Sequence, residues 1–288
     1  MASAPQATNL PMFYNDLMPL NSRDHSSWSS RNTDAATWIV GQHAIPLTAE
    51  EFVHASRTYP IVFSIADQPV PLALMGLNEG VNTFFDETGK LNEQVYVPAY
   101  ARRYPFMLAK LTPDSEELSL CFDPTSDLVG EFDEGNRLFD GETPSESCQA
   151  TLDFCRNFEE AGFRTTAFVE ELMKHDLLMD GEVSIQQAGN ETPFIYRGFK
   201  MIDQEKLRDL RGDVLRTMNQ NGMLALIVAQ LFLIDHLEAA IDERGLVAGL
   251  LDRYFAVHQQ VMLHQLFNER AGAEAGGWFP SLHRHTDK

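Results

Sequence analysis

The hydrophobic pattern of this 288-residue chain changes near residue 143, and this change limits the fold class more than any other feature. Before it, strand-length apolar runs alternate with turn-forming Gly, Pro, Asn and Asp. After it, apolar residues recur at helical spacing behind helix-capping signals. The pattern predicts an α+β fold, with an N-terminal, mainly antiparallel β-sheet region followed by a mainly helical C-terminal region with one hairpin. The expected strands are 61–65, 69–77, 81–85, 95–97, 103–111 and 118–122.

Several helix starts are marked by side chains that can accept hydrogen bonds from free backbone amides. Thr48 precedes Glu51 by three residues, and Thr143 precedes Pro144 and Glu146, as in capped helix N-termini. In chain order, the expected elements are a helix over about 49–57, a helix from Thr143 to Gly162, another from Thr165 to Asp180, a hairpin of 183–187 and 195–202, a helix from Asp203 to about Arg211, and long helices over 213–243 and 246–270.

The composition along the chain divides it into four segments. Residues 1–44 are rich in Ser, Asn, Asp and Pro and predict an irregular N-terminal arm. The β-rich half then covers 45–142 and the helical half 143–270. Residues 271–288 begin with a Gly- and Ala-rich stretch that predicts a flexible tail.

The charge balance limits the partners. The chain carries 42 acidic against 22 basic residues, a formal net charge of -20. Such a field repels phosphate backbones and anionic headgroups, so we expect neither nucleic acid nor an acidic membrane surface as a partner. A basic protein partner remains open, as does assembly with further copies of the chain. The most apolar run, Met223 to Ile234, is shorter than the roughly 20 residues that span a bilayer, so no membrane span is expected.

The N-terminus and the cysteines predict a cytoplasmic protein. Between Met1 and Leu20 there is no basic segment followed by an apolar run, as a secretory signal requires. The chain has an odd number of cysteines, and Cys148 and Cys155 lie too far apart along one predicted helix to form a disulfide. Reduced thiols fit a reducing compartment best.

Known catalytic and cofactor motifs are missing from the sequence. No GxxxxGK[ST] or GxGxxG loop cradles phosphate, no CxxC or HExxH binds zinc, and no GxSxG presents a serine nucleophile. The cysteine thiols of the helix after residue 143 lie on its apolar stripe, where a thiolate is disfavoured. The sequence therefore identifies no catalytic residue, no metal site and no cofactor.

One segment carries a candidate binding site. Residues 96–106, YVPAYARRYPF, place two adjacent arginines among tyrosines in an otherwise acidic chain. A guanidinium can hold a carboxylate through two parallel hydrogen bonds, and tyrosines supply stacking faces and hydroxyl donors. The alternative interpretation is that one or both arginines pair with internal acids, such as those near Asp123. The candidate binding residues are Tyr96, Tyr100, Arg102, Arg103, Tyr104 and Asp123.

The same segment resembles the signature of the bacterial SapC family. Further blocks, in the order expected for that family, extend the resemblance over about residues 12–240; they are PLTAEEF (46–52), YPIVF (59–63), ALMGL (73–77), LFDGETP (138–144) and GMLALI (222–227). The sequence departs from similar ones at Leu91, where an aromatic residue is expected, and at Gln230, where His is usual. The family name comes from surface-layer biology. Similar genes tend to lie near outer-membrane receptors and proteins resembling flavin-dependent halogenases or cupin-type oxygenases, which implies an accessory role.

Three functional hypotheses follow. The first is a non-catalytic cytoplasmic binding or accessory protein that works with a partner enzyme or a nutrient-uptake system and recognises a protein partner or a small carboxylate or peptide ligand. The second is an enzyme acting on a peptide or amino-acid-like substrate, with Arg102 or Arg103 anchoring its carboxylate and Asp123 handling protons. The third is a surface-layer-associated protein.

Overall fold

A computed structural model of the chain describes residues 10–92, 95–112, 114–115, 117–185 and 194–234. In chain order, the strands are β1 Met18–Pro19, β2 Ser29–Ser30, β3 Ala44–Pro46, β4 Ile61–Phe63, β5 Pro71–Leu74, β6 Phe106–Lys110, β7 Leu118–Phe122, β8 Val129–Gly130, β9 Asn136–Arg137, β10 Phe139–Asp140, β11 Thr143–Pro144, β12 Leu178–Ile185 and β13 Phe194–Ile202. The α-helices are α1 Phe52–Ala55, α2 Ala99–Arg102, α3 Glu146–Lys174, α4 Gln204–Arg208, α5 Gly212–Gln220 and α6 Met223–Ile234. Short 3-10 helices cover Thr37–Ile39 and Ala49–Glu51.

These elements confirm the predicted α+β class. The strand pairs in the described part of the chain are all antiparallel, and the helices lie mostly in the later part. The described residues form two compact units, each built from two separate stretches of chain. The first unit contains 10–41 and 84–162, and the second contains 42–83 and 163–234. The predicted division into an arm, two halves and a tail stays a prediction.

The first unit contains small sheets around one apolar core. Its sheets have the strand orders β1-β7-β6 and β8-β2-β9, and β10 pairs with β11. Alternate residues of β6 and β7 point inward, as expected for strands with one face on a core. The core consists of Phe106, Leu108, Leu120, Phe122, Val129, Leu138, Phe139, Cys148 and Cys155. The two cysteines come from the first turns of α3, which confirms the predicted apolar stripe of this helix.

The second unit is built on a five-stranded sheet of order β12-β13-β4-β5-β3. Helix α6 packs against α1, β4 and β13. Its Gln230 is fully buried and donates a hydrogen bond from Nε2 to the carbonyl oxygen of Ile61, 3.0 Å away. The predicted hairpin is present as β12 and β13, and its turn lies outside the described residues. Its first strand differs from the prediction, because β12 begins at Leu178, inside the helix predicted to reach Asp180.

Two predicted helix starts are confirmed. The Glu51 carboxylate accepts hydrogen bonds from the backbone amide and the hydroxyl of Thr48, at 2.8 and 2.9 Å. The Asp203 carboxylate accepts from the amides of Glu205 and Lys206, both at 3.0 Å.

The helix after residue 143 differs from the prediction at both ends. Thr143 does not cap it, because Thr143 and Pro144 belong to β11 and pair with β10. Ser145 takes this role, since its Oγ accepts from the amide of Cys148 at 3.1 Å. The predicted break at Gly162 is also wrong, because α3 continues through this residue to Lys174. A glycine inside a helix costs only about 1 kcal/mol, which the continuing row of buried residues on α3 can offset.

Other boundaries also differ from the prediction. Residues 81–85 and 95–97 form no strands; Phe85 makes a single bridge to Leu91. The predicted strand 103–111 begins only at Phe106, because Arg102 ends α2. The predicted helix 213–243 is interrupted after Gln220, where Gly222 takes a φ of 83°. The predicted helix 246–270 and the tail 271–288 lie outside the described residues.

Candidate ligand-binding cleft

A cleft of about 710 Å³ lies in the first unit, beside the segment that carries the two arginines. Its walls come from the stretch after β2, the segment 101–106 and the first turns of α3. The charged residues that line it are Arg31, Asp34, Arg102 and Arg103. Large apolar side chains form much of the remaining wall, among them Trp38, Phe85, Leu91 and Phe154. Such a combination of an apolar wall and a few charged groups is typical of small-molecule sites.

Helix α2 places the adjacent arginines in different environments. It begins after Pro98, whose carbonyl oxygen accepts hydrogen bonds from the amides of Ala101 and Arg102, both at 3.0 Å. Successive residues of a helix point about 100° apart. Arg102 therefore stays exposed, whereas Arg103 is buried to 6% exposure.

Arg102 is oriented by local contacts that leave part of its guanidinium open. Its Nε donates to the carbonyl oxygen of Val97 at 2.9 Å, and its Nη2 donates to the hydroxyl of Tyr96 at 3.1 Å. The guanidinium carbon lies 5.5 Å from the ring centre of Tyr96 and 5.3 Å from that of Phe154. Among the residues that the structure describes, no carboxylate forms an ion pair with Arg102. These contacts hold the Arg102 guanidinium in place and leave some of its N–H donors available to a ligand.

Arg103 has an internal role instead. Its Nη1 lies 3.2 Å from a carboxylate oxygen of Glu159, whose side chain is 34% exposed. Its guanidinium carbon lies 4.6 Å from the ring centre of Tyr100 and 4.4 Å from that of Phe158, within the range of cation–π attraction. The internal pairing considered from the sequence is therefore present for Arg103, but with Glu159 rather than with an acid near Asp123. Its buried Nε makes no hydrogen bond to any residue that the structure describes.

The three tyrosines of the segment make contacts within the first unit, and of the three only Tyr104 lines the cleft. Tyr96 contacts Arg102 as described above, and Tyr100 donates its hydroxyl proton to the carbonyl oxygen of Met12 at 3.3 Å. Tyr104 packs against Trp38, with ring centres 4.9 Å apart. Burial raises the pKa of Tyr100, opposed by Arg103, and burial also raises the pKa of Tyr104. Both phenols therefore stay neutral near pH 7.

Asp123 is a structural carboxylate in a turn that follows β7. It is completely buried, and one of its oxygens accepts from the amide of Asn15 at 2.7 Å. The other accepts from the amide and the hydroxyl of Thr125, at 2.8 and 2.7 Å. Asp123 is not among the residues that line the cleft. The structure thus brings Arg102, Arg103 and Tyr104 to the cleft but does not place Asp123 there.

Sequence reasoning missed the contribution of the N-terminal stretch. Arg31 and Trp38 line the same cleft, although about 70 residues separate them from Arg102. The predicted irregular arm contains β2, which pairs with β8 and β9 and so positions the residues that follow it. In the sequence, this contribution is marked only by one basic and one aromatic residue in a polar stretch. Such a pattern does not show that these residues share a site with Arg102.

The described residues contain no cluster of His, Cys, Asp and Glu suited to a metal ion. Their helices also include none that is long and apolar enough to cross a membrane. The three cysteines are buried and unpaired. Burial raises the pKa of all three thiols.

The fold and the cleft define an α+β protein with a cleft lined by three arginines. The family model described as SapC matches residues 20–239, so the chain belongs to the SapC family. This range contains every residue of the cleft and confirms the resemblance drawn from the sequence blocks. No curated protein and no solved structure matches the chain.

Proposed function

We propose that this chain is a non-catalytic binding protein of the cytoplasm, which holds a carboxylate group of a small molecule or peptide at Arg102 and serves a partner enzyme or a nutrient-uptake system. The observation that carries the proposal is the state of Arg102: exposed at a cleft, held by Val97 and Tyr96, and paired with no carboxylate of the described residues.

A carboxylate is the group that suits Arg102 best. In an acidic chain, an arginine on the surface normally finds an internal carboxylate, as Arg156 does with Asp153 at 3.1 Å. The Arg102 guanidinium instead lies close to the rings of Tyr96 and Phe154, which restrict its rotation and lower the entropy lost when a ligand binds. A carboxylate can accept two parallel hydrogen bonds from a guanidinium. The net charge of -20 disfavours nucleic acid as the source of the anion.

The lining of the cleft favours binding over catalysis. Asp34 is the one carboxylate among the described lining residues, and it faces Lys90, with Nζ and a carboxylate oxygen 3.8 Å apart. The described lining includes hydroxyl side chains such as Ser147 and Tyr104, but no Cys, His or Glu that could act as a thiol nucleophile or as a general base beside them. Asp123, the proton carrier of the enzyme hypothesis, has one oxygen engaged by Thr125 in its own turn and the other by the amide of Asn15.

The cytoplasmic location is supported by the three unpaired thiols, since reduced cysteines persist in a reducing compartment. Fractionation of cells, followed by immunodetection of the protein, tests this part of the proposal. Recovery in the soluble fraction supports it. Recovery with the envelope would replace it with the surface-layer hypothesis.

The binding function is tested by purifying the tagged protein from its own cells and identifying retained small molecules and peptides by native mass spectrometry. We expect the parent and Arg156→Gln to retain the same carboxylate-containing compound, and Arg102→Gln to lose it. Arg156 is a matched control because its side chain is 54% exposed and does not line the cleft. Equal retention by Arg102→Gln and the parent would overturn the assignment to Arg102. Turnover of the retained compound by the parent would instead establish an enzyme.

A further inference from the structure

We propose that Arg31 is a second anion-binding residue of the cleft, so that the ligand carries two acidic groups, one held by Arg102 and the other by Arg31. This inference rests on the proposed function and names the ligand class as a dicarboxylate. It assigns a binding role to a residue of the stretch that the sequence predicts as an irregular arm.

The backbone fixes the position of Arg31. It follows directly after β2, which lies between β8 and β9 in its sheet. Its amide donates a hydrogen bond to the carbonyl oxygen of Leu128 at 2.9 Å, which extends the pairing beyond β2. The side chain therefore starts from an anchored backbone at the rim of the cleft.

An aromatic ring orients the guanidinium of Arg31. Its central carbon lies 3.6 Å from the ring centre of Phe132, a stacking distance. The Phe132 ring in turn packs on Gly130, where an added Cβ would lie only 3.0 Å from the tip of the ring. Stacking covers one face of the guanidinium and leaves its edges, which carry the N–H donors, available to an anion.

The internal partner of Arg31 is weak enough to be displaced. Arg31 Nη2 lies 3.8 Å from a carboxylate oxygen of Glu134, near the limit for an ion pair. The Glu134 side chain is 83% exposed, and that of Arg31 is 43% exposed. Exposed pairs of this kind contribute little to stability because water and salt screen them. A ligand carboxylate held at the cleft can replace Glu134 without leaving a buried charge unpaired.

The charge of the cleft is opposite to that of the chain. Acidic residues outnumber basic ones by 42 to 22 over the whole sequence, yet three of the four charged residues that line the cleft are arginines. Arg103 is neutralised by Glu159. Arg31 and Arg102 remain as two cations in one cleft, with apolar side chains such as Trp38 and Phe154 also in its walls. A molecule with two carboxylates and an apolar spacer matches this arrangement.

The test measures binding of succinate, glutarate, adipate and pimelate, and of their monomethyl esters, by isothermal titration calorimetry. For at least one chain length, we expect the parent protein to bind the diacid about 10-fold more tightly than the monoester, as one additional charge-assisted contact provides. Arg31→Gln is expected to abolish this preference while leaving the affinity for the monoester within about 2-fold. Arg102→Gln is expected to weaken both ligands.

A second pair of variants tests the competition with Glu134. Glu134→Gln removes the internal carboxylate and is expected to raise the affinity for the preferred diacid by about 2- to 5-fold, a size typical of an exposed ion pair. Asp133→Asn removes the same charge from the neighbouring residue and is expected to have a smaller effect. Equal gains in the two variants would indicate a general effect of charge and would count against a direct contact between Arg31 and the ligand.

The failure of this inference is distinguishable from the failure of the proposed function. The inference is overturned if no diacid of the series binds more tightly than its monoester, or if Arg31→Gln keeps the preference. The proposed function is overturned if Arg102→Gln binds and retains carboxylates as the parent does. Circular dichroism of each variant confirms that the fold is intact, which we expect because both arginines are exposed.

Discussion

Replacement of Arg103 by alanine should strongly destabilise the first unit. The side chain of Arg103 is 5% exposed, pairs with Glu159 and packs against the rings of Tyr100 and Phe158. Each cation–π contact contributes about 0.5–2 kcal/mol, and removing one partner of a buried ion pair costs about 3–5 kcal/mol. Glu159 is partly exposed and can be hydrated again once Arg103 is gone, so the lower end of this range applies.

The expected loss is therefore about 3 kcal/mol in the free energy of unfolding. This is a large part of the roughly 5–15 kcal/mol that stabilises a typical domain. At about 2–4 °C per kcal/mol for a chain of 150–250 residues, the melting temperature should fall by about 6–12 °C. The Nε of Arg103 is a buried donor without a hydrogen-bond partner among the described residues, so its removal offsets part of this loss.

Urea unfolding followed by tryptophan fluorescence measures this loss, since Trp28 and Trp38 both belong to the first unit and Trp38 packs on Tyr104. Arg102→Ala is the matched control, and because Arg102 is exposed we expect a loss of less than about 1 kcal/mol. The reasoning is refuted if Arg103→Ala unfolds at the same urea concentration as the parent. It is equally refuted if the two alanine variants lose the same stability.

The remaining predictions concern the thiols and the second unit. Burial raises the pKa of Cys121 to about 11 and that of Cys155 to about 12, from an ordinary value of 9.0. The unfolded chain therefore loses these protons at lower pH than the folded protein, and the urea midpoint should fall as the pH rises above about 9. All three cysteines should react with Ellman's reagent in urea, but not in the folded protein at pH 8. Gly181→Ala should lower the free energy of unfolding by about 1–3 kcal/mol in urea titrations, because its Cβ would overlap the ring of Phe199.

These predictions have their own controls. A urea midpoint that stays constant between pH 8 and 10.5 would contradict the linkage to buried thiols. Rapid stoichiometric labelling of any cysteine in the folded protein would contradict its burial. Gly212→Ala is the control for Gly181→Ala, because an added Cβ there would meet no heavy atom of the described residues within 4 Å. Equal stability of these two variants would show that the ring of Phe199 moves aside at no cost.

Local patterns predicted much of the secondary structure because they depend on neighbouring residues. The strand-length apolar run 118–122, which ends at a turn, predicted β7 with its observed bounds, and Asp203 predicted the start of α4. The errors occurred where distant contacts outweigh local preference. Thr143 carries a good capping signal, yet pairing of β10 with β11 holds it in a strand and leaves the cap to Ser145. Gly162 is a poor helix residue, yet α3 passes through it.

The sequence by itself determined the α+β class, the family and the segment that carries Arg102, because periodicity, ordered blocks and composition are properties of the chain alone. Only the tertiary structure separated the two adjacent arginines. The turn of α2 buries Arg103 between rings and leaves Arg102 at the cleft. Only the tertiary structure also brought Arg31 to the same cleft, since β2 pairs with β8 and β9, strands that follow it by about 100 residues. Strand pairing between distant residues depends on which surfaces are buried together on folding. The order of residues along the chain does not show which surfaces meet.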